Sequence, residues 1–156
     1  MRRFAMCCCA VVLVGCSESK DQPAVDQMAD AAPAPAAPAP IALADVAGKW
    51  AVRVMPESGD STLLTYELVA TGDTSGWTIN FPKRKPIPLH VVAVEGDSVL
   101  TEAGPFESML RKGVQVSTRT VIRIQEGKLT GMTTARYATS GPDSVARLRF
   151  EGTRAP

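Results

Sequence analysis

The chain has 156 residues, 45% of them apolar, and a formal net charge of +1. So even a balance excludes the strongly basic profile expected of a nucleic-acid binder. The four cysteines stand at positions 7, 8, 9 and 16, so a domain built from the remainder has no internal disulfide and must hold together by packing.

Met1-Arg2-Arg3 gives a positive start, and Phe4 to Val14 an uncharged run of eleven residues, too short to span a bilayer as a helix. Leu13-Val14-Gly15-Cys16 ends that run. Positive start, apolar core and small residues before a Cys resemble the signal peptide and lipobox of bacterial lipoproteins. The resemblance implies cleavage after residue 15 and lipidation of the Cys16 thiol. The mature chain is then expected to be anchored to the membrane through its N-terminal lipid, in the cell envelope outside the cytoplasm. Ser17, where an Asp tends to retain enterobacterial lipoproteins, favours the outer over the inner membrane. An ordinary cleaved signal is the alternative. Residues 16–40 are poor in large apolar side chains and end in an Ala/Pro run over 31–40. Proline fixes φ and removes a donor, so this stretch reads as a disordered, polyproline-like tether.

Residues 41–156 form the expected domain. Trp50, Val52 and Val54 alternate with Ala51 and Arg53, and Leu64, Tyr66 and Leu68 with Thr65 and Glu67. A turn over 71–76 leads to Trp77, Ile79 and Phe81. Further strands are expected over about 89–94, 98–103, 114–124, 129–139 and 145–152, with hairpins at Gly96-Asp97 and Glu126-Gly127. The only helical piece expected is one turn near 107–110, within the longest connection. The short connections favour antiparallel neighbours in chain order. The fold class is therefore all-β, an eight-stranded antiparallel up-and-down barrel, with a two-sheet β-sandwich as the alternative.

Gly48-Lys49-Trp50 at the start of the first strand resembles the Gly-X-Trp of lipocalins and related calycin barrels. The resemblance implies that Trp50 plugs one end of the barrel beneath an Arg from the final strand. Arg147, Arg149 and Arg154 are the candidates. Arg149 is favoured if a bulge near Gly152 turns it inward, and Arg154 otherwise.

The inward set pairs large residues on the first strands with small or hydroxyl-bearing ones on the later strands. Trp50, Tyr66, Trp77, Thr118, Thr120 and Thr133 are accordingly the candidate walls of a ligand cavity. Alternatively, the large side chains fill the space opposite the small ones. Residues 41–110 carry five Lys/Arg against nine Asp/Glu, net −4, and residues 111–156 nine against three, net +6. Arg119, Arg123, Arg136, Arg147 and Arg149 fall on the outward parity of neighbouring strands. They form a candidate surface for an anionic partner, or else a solvated exterior. Lys83-Arg84-Lys85 sits on a stiff, proline-flanked connection. His90 is the lone histidine, and Glu102 and Glu107 bracket Gly104-Pro105-Phe106. Neither supplies a nucleophile–base pair or a spaced ligand set, so no catalytic residue, metal or cofactor is assigned and the chain is not read as an enzyme. Two functional readings stand. One is a non-enzymatic module binding a small apolar or amphipathic ligand at the envelope. The other is a filled barrel serving an envelope protein partner or a structural role.

Overall fold

The computed structural model describes residues 39–156. The apolar leader, Cys16 and the tether to residue 38 lie outside the described residues. Over the rest, period-two patterning becomes strand with few departures. A single turn, α1 (Leu43–Val46), precedes eight strands: β1 (Gly48–Pro56), β2 (Leu64–Ala70), β3 (Trp77–Asn80), β4 (Ile87–Glu95), β5 (Ser98–Glu107), β6 (Gln115–Gln125), β7 (Lys128–Tyr137) and β8 (Val145–Arg154). Each strand pairs antiparallel with the next, and β1 also pairs with β8. The sheet therefore closes into an up-and-down barrel, which removes the free edges that separate sheets would have.

Parity decides which side chains face inward. On β6, Val116, Thr120 and Ile122 are buried while Arg119 is exposed. The core runs around the barrel through Trp50, Leu68, Trp77, Val99, Leu129 and Phe150. Each such aliphatic or aromatic side chain contributes roughly 1.5–3 kcal/mol by leaving water. Large and small residues interlock where strands meet. Gly131 lies opposite Phe150, and a Cβ there would stand 1.9 Å from the Val121 carbonyl oxygen and 2.8 Å from the Phe150 ring.

Both expected hairpins form. Glu126 and Gly127 have φ of 52° and 74°, the doubly positive pattern of a type I′ turn, whose twist suits the flanking strands. The one-turn helix expected near 107–110 does not form. Instead β5 continues through a register shift between Ala103 and Phe106, and Glu107 still pairs with Gln115. Residues 108–114 are a turn, in which Ser108 Oγ accepts the N–H groups of Leu110 and Arg111, both at 3.1 Å. Ladder pairing and the hydroxyl take the backbone groups a helix would have used. One seam is thin: β3 meets β4 at three positions, Trp77↔Leu89 to Ile79↔Ile87. Beyond Leu89, β4 pairs with β5 alone, with an irregularity between Val91 and Ala93.

One end of the barrel is plugged. The Trp50 indole is 1% exposed and its Nε1–H donates to the Val46 carbonyl at 2.7 Å, tying α1 across the opening. The Arg154 guanidinium lies 4.4 Å above the indole and donates to the carbonyls of Ala47 and Asp45, each at 2.9 Å. Arg154, not the favoured Arg149, is thus the covering residue. The β8 register runs without a bulge, which puts Arg154 opposite Trp50 and Arg149 opposite Met55. Arg149 instead reaches the β1–β2 connection, donating to the Gly59 carbonyl and to Asp60. Gly48 has a specific reason to lack a side chain. Its φ is +126°, and a Cβ would meet Arg154 Nη1 at 2.8 Å.

Candidate functional site at the barrel mouth

Four connections surround the end opposite Trp50: residues 57–63, 81–86, 108–114 and 138–144. Beneath them the inward faces of the strands leave a recess of about 70 Å³. Its walls include Val54, Ile79, Phe81 and Leu148, and Met109 and Leu110 of the 108–114 turn lie across its opening. The polar part comes from Tyr66, Ser108, Thr118, Thr120 and Thr133. Thr120 and Thr133, opposite each other in register, share a hydroxyl–hydroxyl hydrogen bond of 3.0 Å. Tyr66 packs edge-on against Phe81 with ring centroids 5.6 Å apart. Burial pushes its phenol well above the ordinary tyrosine range, because an ionised phenolate there would lose its water.

Four of the six expected cavity residues therefore meet, and two do not. Trp50 and Trp77 are both 1% exposed and lie outside the recess lining. Trp50 fills the plugged end, and the Trp77 indole donates to the Asp73 carbonyl at 2.8 Å. Both point inward as their parity requires, but at the wrong height along the barrel. Sequence reading missed Phe106, Met109, Leu110 and Tyr137, which complete the mouth. The turn that carries Met109 and Leu110 is held by side chains. The Arg111 guanidinium stacks 4.0 Å over Tyr137 and donates to the Asp143 carbonyl at 2.7 Å, while Arg84 donates to the Glu107 carbonyl at 2.9 Å.

No family model, curated protein or solved structure matches the chain.

The five expected outward arginines do lie on β6, β7 and β8, but acids discharge much of the stripe. Arg119 lies 3.6 Å from Glu102, Arg123 is 3.1 Å from Asp97 and Arg147 is 3.8 Å from Glu57. Arg149 contacts Asp60 and Glu151. Among the described residues Arg136 alone of the five has no such acid. Glu151 also accepts from Arg53 at 2.7 Å, and that hydrogen bond holds its carboxyl below the usual range. The stripe reads as a solvated exterior of modest pairs rather than an anion site. His90 and Glu102 are cross-strand partners, both exposed, while Glu107 lies at the mouth and accepts the Gly113 N–H at 3.2 Å. Among the described residues no group of three or more His, Cys, Asp or Glu is placed to hold a metal ion. No helix among them is long and apolar enough to cross a membrane. A larger depression, about 690 Å³, lies over Ala51, Thr65 and Asn80, but it is an open exterior surface.

Proposed function

We propose that the chain is a lipid-anchored module of the cell envelope, with a lipocalin-like barrel that binds a small amphipathic ligand end-on at its mouth and performs no chemistry on it. The recess carries this reading: an apolar wall, a polar patch of one phenol and four hydroxyls, and a cover made of Met109 and Leu110. That mixture orients a ligand with an apolar end and a hydrogen-bonding group. The cover belongs to a turn outside the strand ladder, so it can be displaced without breaking the barrel. The Gly-X-Trp and its covering Arg154 support the lipocalin-like reading, and Leu13 to Cys16 support the anchor.

Titration calorimetry with straight-chain carboxylates of increasing length tests it. Saturable binding at one site per chain is expected, rising with length and then levelling off. Thr133→Leu, which fills the recess, should abolish binding while leaving the strand spectrum intact. Heats indistinguishable from dilution for every chain length would refute the ligand reading. The size of the recess favours a second reading, a filled barrel whose mouth contacts an envelope protein. About 70 Å³ is far below the roughly 300–1,000 Å³ of ordinary small-molecule pockets.

A further inference from the structure

The two connections on one side of the mouth carry a concentration of charge that neither reading above uses. Residues 81–86 hold Lys83, Arg84 and Lys85, and the 108–114 turn holds Arg111 and Lys112; neither segment contains an acid. The two are joined, since Arg84 donates to the Glu107 carbonyl at 2.9 Å and lies 3.8 Å from the Glu107 carboxylate. Lys83, Lys85 and Lys112 are exposed, and among the described residues none has a carboxylate within ion-pair distance. Directly before Arg111 and Lys112 in the same turn stand Met109 and Leu110, 39% and 38% exposed. The other side of the mouth differs. There Glu57 and Asp60 face Arg147 and Arg149, and Asp143 accompanies the 138–144 connection. Three exposed lysines without an acid thus share one half of the rim with Met109 and Leu110, whereas the other half carries exposed Leu63 and Val145 beside mostly paired arginines.

Lys83 adds a second, independent observation. Arg84 N–H bonds to the Phe81 carbonyl at 3.2 Å, closing a turn with Pro82 second and Lys83 third. Lys83 adopts a φ of 61°, a conformation that favours glycine or asparagine at that place. A cation is held at the tip of the turn against the local stereochemical preference. Strain of this kind collects where a side chain is required for something other than the fold.

We propose that this half-rim docks the barrel onto an anionic lipid surface. Lys83, Lys85 and Lys112 would lie at the headgroups, and Met109 and Leu110 would enter the boundary with the acyl chains. Exposed cations beside small apolar side chains are what such an interface takes up. The proposal shares Met109 and Leu110 with the recess, but its charge comes from Lys83, Lys85 and Lys112, none of which lines it. A recess that binds nothing would leave it standing.

The test uses the full chain carrying Met109→Trp, bound to vesicles of phosphatidylcholine alone or mixed with phosphatidylglycerol, each with brominated acyl chains. Any attachment through the N-terminal segment is common to both vesicles, so a difference between them at position 109 reports docking. Trp50 and Trp77, both 1% exposed, are shielded from the bromines. Blue-shifted, strongly quenched emission is expected on the anionic vesicles and not on the neutral ones. Neutralising Lys83, Lys85 and Lys112 together to Gln should weaken docking on the order of a hundredfold, at about fivefold per cation. Lys83→Gly alone should weaken it about fivefold with an unchanged or higher unfolding midpoint, a combination that a purely structural lysine would not give. Equal quenching on both vesicles, no quenching on either, or indifference to the triple change would overturn the proposal. A response at position 109 to polyaspartate but to neither vesicle would also overturn it, and would assign the half-rim to an acidic protein.

Discussion

Replacing Arg154 with Ala tests the plug directly. The substitution removes two charge-assisted hydrogen bonds to the Ala47 and Asp45 carbonyls and the guanidinium 4.4 Å above Trp50. At this partly solvated end each hydrogen bond is worth about 1 kcal/mol, and the cation–π contact about 0.5–2 kcal/mol. The expected loss is about 2–4 kcal/mol, a fall of roughly 10 °C in unfolding midpoint for a domain of this size. Arg154→Lys keeps the charge but cannot span both carbonyls, so it should recover less than half. Trp50→Ala should cost about 3–5 kcal/mol, and the double variant should cost less than the sum by about 1 kcal/mol or more, because the cation–π term is counted in both singles. Arg149→Ala serves as the comparison: its partners lie on the surface, and about 0–1 kcal/mol is expected. Urea unfolding of the five variants and the unsubstituted chain, with a common slope, measures all of these. An Arg154→Ala loss no larger than that of Arg149→Ala, or strict additivity with Trp50→Ala, would refute the closure.

Three other outcomes are expected. Stability should fall as pH rises above about 10, where the unfolded Tyr66 ionises and the folded one stays protonated, with a slope from this group approaching about 1.4 kcal/mol per pH unit; Tyr66→Phe should flatten that limb in pH-dependent urea unfolding. Gly131→Ala should destabilise by about 2–3 kcal/mol or more, since its methyl would collide with backbone as well as with Phe150; an unchanged midpoint would mean that this close approach is absent. Mass spectrometry of the membrane fraction should find Cys16 lipidated and at the new N-terminus, and Cys16→Ser should move the domain to the soluble fraction.

Much of the barrel is legible because its signals are local. Alternation around Trp50, Tyr66 and Thr120 gives the inward face, and Glu126-Gly127 gives a hairpin, without knowledge of any distant residue. Alternation also held more than was taken from it. Phe150, Gly152 and Arg154 share one parity, so Arg154 reaches Trp50 with no bulge at all. The rest depends on register and axial height, which parity does not carry. It places Trp77 and Thr133 on the same inner surface and is silent on their being at different levels. It puts Arg119 outside without revealing Glu102 opposite it. The overrun of β5 through Gly104-Pro105 was hidden because that dipeptide normally ends a strand, and here the register shifts around it.

The latch between Ala47 and Arg154 spans 107 residues of sequence. During synthesis, the first strand therefore waits for the last, and until β8 emerges β1 has only β2 beside it. Contacts of such separation form late and slowly, because the loop between them must close first. A growing chain of this topology remains open for most of its production, with Trp50 uncovered and its apolar strands available to holding factors. Delayed closure leaves the polypeptide open along its length, and the barrel locks only once the final strand arrives.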